Sequence, residues 1–127
     1  MNVRSAARGL ALNRLAFGLN YVVRPDAVGQ SWIGAAAARR AGTQVLARGL
    51  GARDVALGAG ALAALHRGDD DAARRWMAAH AVADGVDLVA TVVARDGLPP
   101  RQAVLATLVA AASTAVGAWS AVALRSG

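Results

Sequence analysis

Three ionisable side chains fall at His80, Asp84 and Asp87, a spacing of i, i+4 and i+7 that places all three on one face of a helix. A second cluster, Arg48, Arg53 and Asp54, interrupts the apolar stretch "RGLGARDVALGAGALAAL". Two carboxylates beside an arginine are sufficient parts for acid–base chemistry. One protonated carboxyl group donates a proton, and an ionised partner accepts one or orients water. An Asp–Arg–Asp arrangement suits opening an epoxide, cyclising a chain or moving a double bond, since each needs a proton delivered and another proton or a water handled nearby. Two further polar pairs, Asn13–Arg14 and Ser113–Thr114, join the candidate list as substrate contacts.

The elements that must carry these residues are long and apolar. Of the 127 residues, 56% are hydrophobic and only 4% aromatic, with a mean hydropathy of +0.39. A core of Ala, Val and Leu suits helices packed closely in lipid, because small side chains let backbones approach. Four segments of helical length stand out, at about 5–23, 43–65, 73–94 and 100–124, each long enough to cross about 30 Å of hydrocarbon. Pro25 closes the first at "RPD", "HRGDDD" closes the second, "RDGLPP" closes the third, and Pro100 opens the fourth. The fold expected is therefore all-α: a single integral membrane domain over 1–127, built as a four-transmembrane-helix up-down bundle. The stretch "DAVGQSWIGAAAARRAG" is too short for a crossing and reads as an interfacial helix between the first two spans, with Trp32 and Arg39–Arg40 at its ends. A soluble four-helix bundle is the competing architecture, and the segment lengths argue against it. The N-terminal run has a basic start but is interrupted by Asn13, Arg14 and Asn20, so it reads as a retained first span and not as a cleaved signal.

Charge excludes several functions and leaves others. The chain carries 14 basic and 8 acidic residues, for a net charge of +6, and every basic residue is arginine. These arginines sit between apolar stretches, with no aromatic platform among them, which fits membrane-flanking anchors and not nucleic-acid binding. With no cysteine there is no disulfide and no thiolate site, and one histidine at depth does not make a metal centre, so no cofactor or metal is expected. The flanking arginines divide six to five: Arg4, Arg8, Arg67, Arg74, Arg75 and Arg125 on one side, against Arg24, Arg39, Arg40, Arg95 and Arg101 on the other. That margin places both termini in the cytoplasm by a single residue. Localisation is the cell membrane, as a multi-pass protein.

The polar residues of all four segments share one depth. Arg14, Arg48 and Arg53 supply three positive charges, and Asp54, Asp84 and Asp87 supply three negative ones, so with His80 neutral the interior sums to zero. A lone charge at mid-bilayer costs about 2.5–3.5 kcal/mol even on the lenient insertion scale, so mutual pairing explains why the charges are there. Successive 100° steps spread Arg48, Arg53 and Asp54 around their helix, and at most two face one pocket. Asp54 and Arg48 are expected inside, with Arg53 bridging or turned to another face and Arg48→Ala damaging the fold. His80 is expected as a proton relay or substrate contact. Gly51, Gly58 and Gly60 read as packing notches, Asp69–Asp71 as the cap of the third long helix, and Trp76 and Trp119 as interfacial anchors.

With "RGLGARD" and the aspartate pair of "HAVADGVDLVATV" in view, the chain resembles a group of short four-helix bacterial membrane proteins of unknown function, loosely similar to the DoxX-like superfamily. The resemblance implies the four-helix topology and directs attention to Arg48, Arg53, Asp54, Asp84 and Asp87; it implies no reaction. Three functions stay open. The first is an intramembrane acid–base enzyme (isomerase, cyclase or epoxide-opening hydrolase) acting on a lipophilic small molecule. The second is a proton-coupled small-molecule carrier, and the third a structural or assembly protein whose charges only tie helices together. Gly- and Ala-rich faces also lead to an expected homo-oligomer in the bilayer.

Overall fold

The computed structural model describes residues 1–124 and is helical almost throughout. In chain order the elements are α1 (Val3–Val23), α2 (Pro25–Ile33), α3 (Ala35–Ala38), α4 (Ala41–Arg67), α5 (Asp70–Ala94), a 3-10 turn (Arg95–Gly97) and α6 (Pro100–Ala123). Arg125, counted above among the flanking arginines, lies outside the described residues.

Local chemistry sets the boundaries. The Asn2 side chain accepts the Ser5 backbone N–H at 2.8 Å and starts α1. Pro25 and Pro100 occupy the first turns of α2 and α6, where a missing N–H costs nothing. The Asp69 carboxylate accepts the Ala72 N–H at 2.9 Å and caps α5, with Asp70 and Asp71 beside it in the positive first turn. Gly68, at φ +71°, ends α4 in the left-handed conformation. Gly34, at φ +86°, breaks the expected interfacial helix into α2 and α3.

The four long helices alternate in direction around a closed ring. α1 packs most intimately on α4 and α5 on α6; the two pairs meet along α4–α5 and α1–α6, and α2 lies across one end. Their inward residues recur in steps of three and four. On α1 they are Ala7, Ala11, Arg14, Gly18 and Tyr21, and on α4 Gly51, Asp54, Gly58, Ala61 and Leu65. The same spacing runs through Ala73, Met77, His80, Asp84 and Thr91 on α5, and Ala103, Ala106, Ala110, Gly117 and Ser120 on α6. A 3.5-residue seam on every helix is the pattern of a bundle packed knobs-into-holes.

Small residues in that seam bring α1 and α4 almost into backbone contact. A Cβ at Gly18 would stand 2.7 Å from the Gly51 carbonyl oxygen and 2.7 Å from the Val55 nitrogen. One at Gly58 would stand 2.8 Å from the Ala11 carbonyl oxygen. Only glycine fits at these crossings. Along the bundle, an apolar core of Ala7, Ala11, Ala61, Ala64, Leu65, Ala73, Met77 and Leu124 fills the end near the N-terminus. That end is fastened by Arg4, which pairs with Asp70 and donates to the Leu65 carbonyl at 3.0 Å.

The outward faces of α5 and α6 are largely apolar. Val82, Val86, Val89 and Val93 of α5 are exposed, as are Val104, Leu105, Leu108 and Val109 of α6. α5, extended through the 3-10 turn, and α6 are long and apolar enough to cross a membrane. Among the described helices α1 and α4 do not reach that apolarity, because arginines, asparagines and glycines dilute them. This corrects the expectation of four segments that each qualify alone.

Candidate functional site

At mid-height the small-residue seam gives way to charge. Arg14, buried on α1, donates from Nη1 to Asp54 Oδ1 of α4 at 2.8 Å and from Nη2 to Asp84 Oδ1 of α5. It takes an inward position between Ala11 and Gly18, so its guanidinium has nowhere to go except across the bundle. Asp54 takes the matching place on α4, between Gly51 and Gly58. Arg53, a third exposed, sits beside the seam. Its Nε donates to Asp54 Oδ1 at 3.1 Å, and its two terminal nitrogens grip both oxygens of Asp87 at 3.2 and 2.7 Å. This fork-to-fork grip is the geometry that makes arginine–carboxylate pairs strong. The chain of contacts runs Asp84–Arg14–Asp54–Arg53–Asp87 and ties three helices.

Two atoms in the network are left over. The Asp84 side chain is nine-tenths buried, and its Oδ2 has no hydrogen-bond partner among the described residues; the same holds for Arg14 Nε. A buried carboxylate oxygen without a protein partner still needs a donor. It lies where a ligand atom or a proton is worth most.

A cavity of about 60 Å³ adjoins the network. Arg14, Asp54, Asp84 and Asp87 line it together with Asn13, Phe17 and Tyr21 of α1, Trp32 of α2 and Ser113 of α6. Phe17 and Val109 of its lining are 46% and 55% exposed and Asn13 beside them is exposed as well, so the cavity reaches the surface on the α1–α6 side. Tyr21, Trp32 and Leu50 also line a second, apolar cleft of about 280 Å³, open to the surface at Leu46 and completed by Gly29, Ile33, Thr43 and Ala47. Trp32 is held over both by a hydrogen bond from its indole N–H to Thr91 Oγ1 at 3.1 Å. The Thr91 hydroxyl in turn donates to the Asp87 carbonyl at 2.7 Å.

The structure thus gathers Arg14, Arg53, Asp54, Asp84 and Asp87 in one network, with Asn13 and Ser113 at the cavity wall. Arg48 is not among them. It is exposed, and its Nε donates to the Val22 carbonyl at 3.2 Å near the end of α1. The expectation of Arg48 inside is therefore overturned, because the seam through Gly51, Asp54 and Gly58 leaves residue 48 on the outer side, while Arg53 takes the bridging place expected of it. Removing Arg48 from the tally also ends the zero sum. The interior holds two guanidinium groups and three carboxyl groups.

Thr114 is turned back on its own helix, donating to the Ala110 carbonyl at 2.7 Å, and does not line the cavity. His80 is fully buried one turn from Asp84 and does not line the cavity. The sequence reading had overlooked the aromatic wall. The chain has one Phe, one Tyr and three Trp; the Phe, the Tyr and one Trp all line this cavity. The i, i+4 spacing of Phe17 and Tyr21 was the available signal. The groups of three or more His, Asp or Glu side chains that a metal ion requires are absent among the described residues.

No family model, characterised protein or solved structure matches this chain.

Proposed function

We propose that the chain is a four-span integral membrane protein whose buried Asp–Arg–Asp site carries out acid–base chemistry on a small lipophilic molecule. The observation that carries this reading is Arg14 bridging Asp54 and Asp84 beside a cavity that reaches the surface on the α1–α6 side, with one Asp84 oxygen unpartnered. The membrane supports the assignment from the other direction. Only 22% and 28% of the apolar windows of α5 and α6 are buried inside the bundle, so most of their valines and leucines face outward, as lipid demands and water does not. α1 and α4 follow them into the bilayer because their charges are paired inside.

Geometry distinguishes the members of the site. Arg14 orients two carboxyl groups toward one volume, and Arg53 holds Asp87 at its edge. With one proton among the three carboxyl groups the site is neutral. In the simplest reaction it can run, a carboxyl group of the Asp54–Asp84 pair gives its proton to one carbon of a double bond, leaving a cationic carbon opposite an ionised site. A neighbouring carbon then returns a proton to a carboxylate, and the double bond has moved with no other reactant consumed. Capture of the cationic carbon by a second double bond closes a ring from the same first step. A lateral opening between α1 and α6 favours an enzyme fed from lipid over a carrier, which needs access from both ends of the bundle.

The reaction can be tested before its substrate is known. The protein is incubated in nanodiscs with an unsaturated lipid and isoprenoid extract in deuterium oxide, and products are read by mass spectrometry. Deuterium should enter carbon positions of a defined lipid with the wild type and should not with Asp84→Asn or Asp54→Asn, both nearly isosteric. No incorporation above empty nanodiscs, or equal incorporation by the Asn variants, overturns the proposal.

A further inference from the structure

The five charged groups do not cancel, and the aromatic residues are not scattered. Arg14 and Arg53 supply two positive charges against Asp54, Asp84 and Asp87, leaving one negative charge in excess when all are ionised. Arg48, the one cation that would balance them, is on the outer side. The cavity at this charge excess is walled by Phe17, Tyr21 and Trp32. Aromatic faces attract cations, and best where water is excluded. An acidic excess and a concentration of aromatic rings are independent features, and both select one positive charge.

We infer that the ligand of this site is a lipophilic molecule that carries, or develops during reaction, a single positive charge, which replaces the proton held by the three carboxyl groups. The inference rests on the acid–base reading above and gives it a substrate class: alkenes that pass through a carbocation, with alkylammonium compounds as their stable mimics. The charged head lies against Asp84 and the Phe17–Tyr21–Trp32 wall. The apolar tail lies against Leu10 and Val109 of the same cavity, toward the surface.

The titratable and charged groups around the head are Arg14 and Tyr21 from α1 and Arg53 and Asp54 from α4. From α5 come Asp84, Asp87 and, one turn away, His80; the α6 contribution, Ser113, is uncharged. Since Arg14 and Arg53 are fixed cations, the proton displaced comes from the acidic set. A bound monocation therefore releases a single proton.

The test is calorimetry on the full chain in nanodiscs of uncharged lipid, corrected by empty nanodiscs, with octyltrimethylammonium, its uncharged isostere 2,2-dimethyldecane and octyl sulfate. The cation should bind about tenfold or more tighter than the isostere, and octyl sulfate weakest. Repeating the titration in buffers of different ionisation enthalpy should show one proton released per cation bound. Asp87→Asn, which leaves two carboxylates for two guanidiniums, should abolish both the preference and the proton release. Phe17→Leu should weaken the cation roughly fivefold with little effect on the isostere. Equal affinity for cation and isostere, or binding without proton release, overturns this inference and leaves the acid–base reading standing if deuterium is incorporated. Binding of none of the three overturns it together with that reading's apolar site.

Discussion

The α1–α4 pair and the α5–α6 pair share similar lengths and the same three-and-four spacing of inward residues, yet they differ in what they show outward and in how closely they pack. α5 and α6 present valine and leucine to the exterior and qualify alone as membrane-crossing helices. α1 and α4 do not qualify alone, and they hold both arginines of the network. Their compensation is contact. At Gly18 and Gly58 a Cβ would meet backbone atoms within 2.8 Å, whereas at Gly117 of α6 the nearest atom, Ala81 N, would be 3.2 Å away. The charged cavity lies where the self-supporting pair closes on the dependent one.

The strongest way to break this contrast is Arg14→Leu. It strands Asp84 in the seam, leaves Asp54 with Arg53 alone, and should cost about 3–5 kcal/mol, the usual penalty for removing one partner of a buried pair. Loss of a folded band in a detergent-resistance or steric-trapping assay would register it; an unchanged stability would mean that Asp84 has a partner other than Arg14. Val86→Asp comes next. On a lipid-facing helix it should oppose insertion by about 2.5–3.5 kcal/mol and lower the membrane-inserted fraction. A soluble bundle would accept the same change and become more soluble, which would overturn the membrane reading. Gly18→Ala should destabilise by about 1–3 kcal/mol through overpacking against the α4 backbone. Gly117→Ala should cost clearly less, and a reversed order in thermal unfolding would sink the distinction between the pairs. Arg48→Ala closes the series, with a change within about 0.5 kcal/mol, since this exposed side chain bonds to an exposed carbonyl.

Much of the architecture was readable because it rests on local chemistry. Pro25, Pro100, Asp69 and Gly68 mark helix ends by mechanisms that do not depend on tertiary context, and the structure places the ends within a few residues of the expected ones. The shared depth of Arg14, Asp54 and Asp84 was readable from segment centres. Which arginine faced inward was not. A 100° wheel treats each helix alone, while the seam is a joint property of helices whose glycines bear on one another; Gly51 and Gly58 set the inner line of α4 only once Gly18 and Ala11 stand opposite. Anchoring a seven-residue period on those glycines would have excluded Arg48 from the start. The aromatic wall was missed for a different reason. Trp32 belongs to α2 and meets Phe17 and Tyr21 only because the chain reverses at Arg24–Pro25 and α2 folds back over the bundle.

The bridge from Arg14 to Asp84 also bears on how the molecule is made. Their partnership spans 70 positions of chain. At ribosomal speeds of about 5–20 residues per second, Arg14 emerges roughly 4–14 s before the carboxylate that completes its pairing. Until then the nascent first half carries two interior arginines against the single carboxylate of Asp54, and neither of its long helices is apolar enough to commit itself to the bilayer. Of the four long helices, the later two, α5 and α6, are the ones that reach that apolarity. In the four-span reading proposed above, insertion is therefore decided late, when α5 and α6 enter the lipid and draw α1 and α4 in around Asp84 and Asp87.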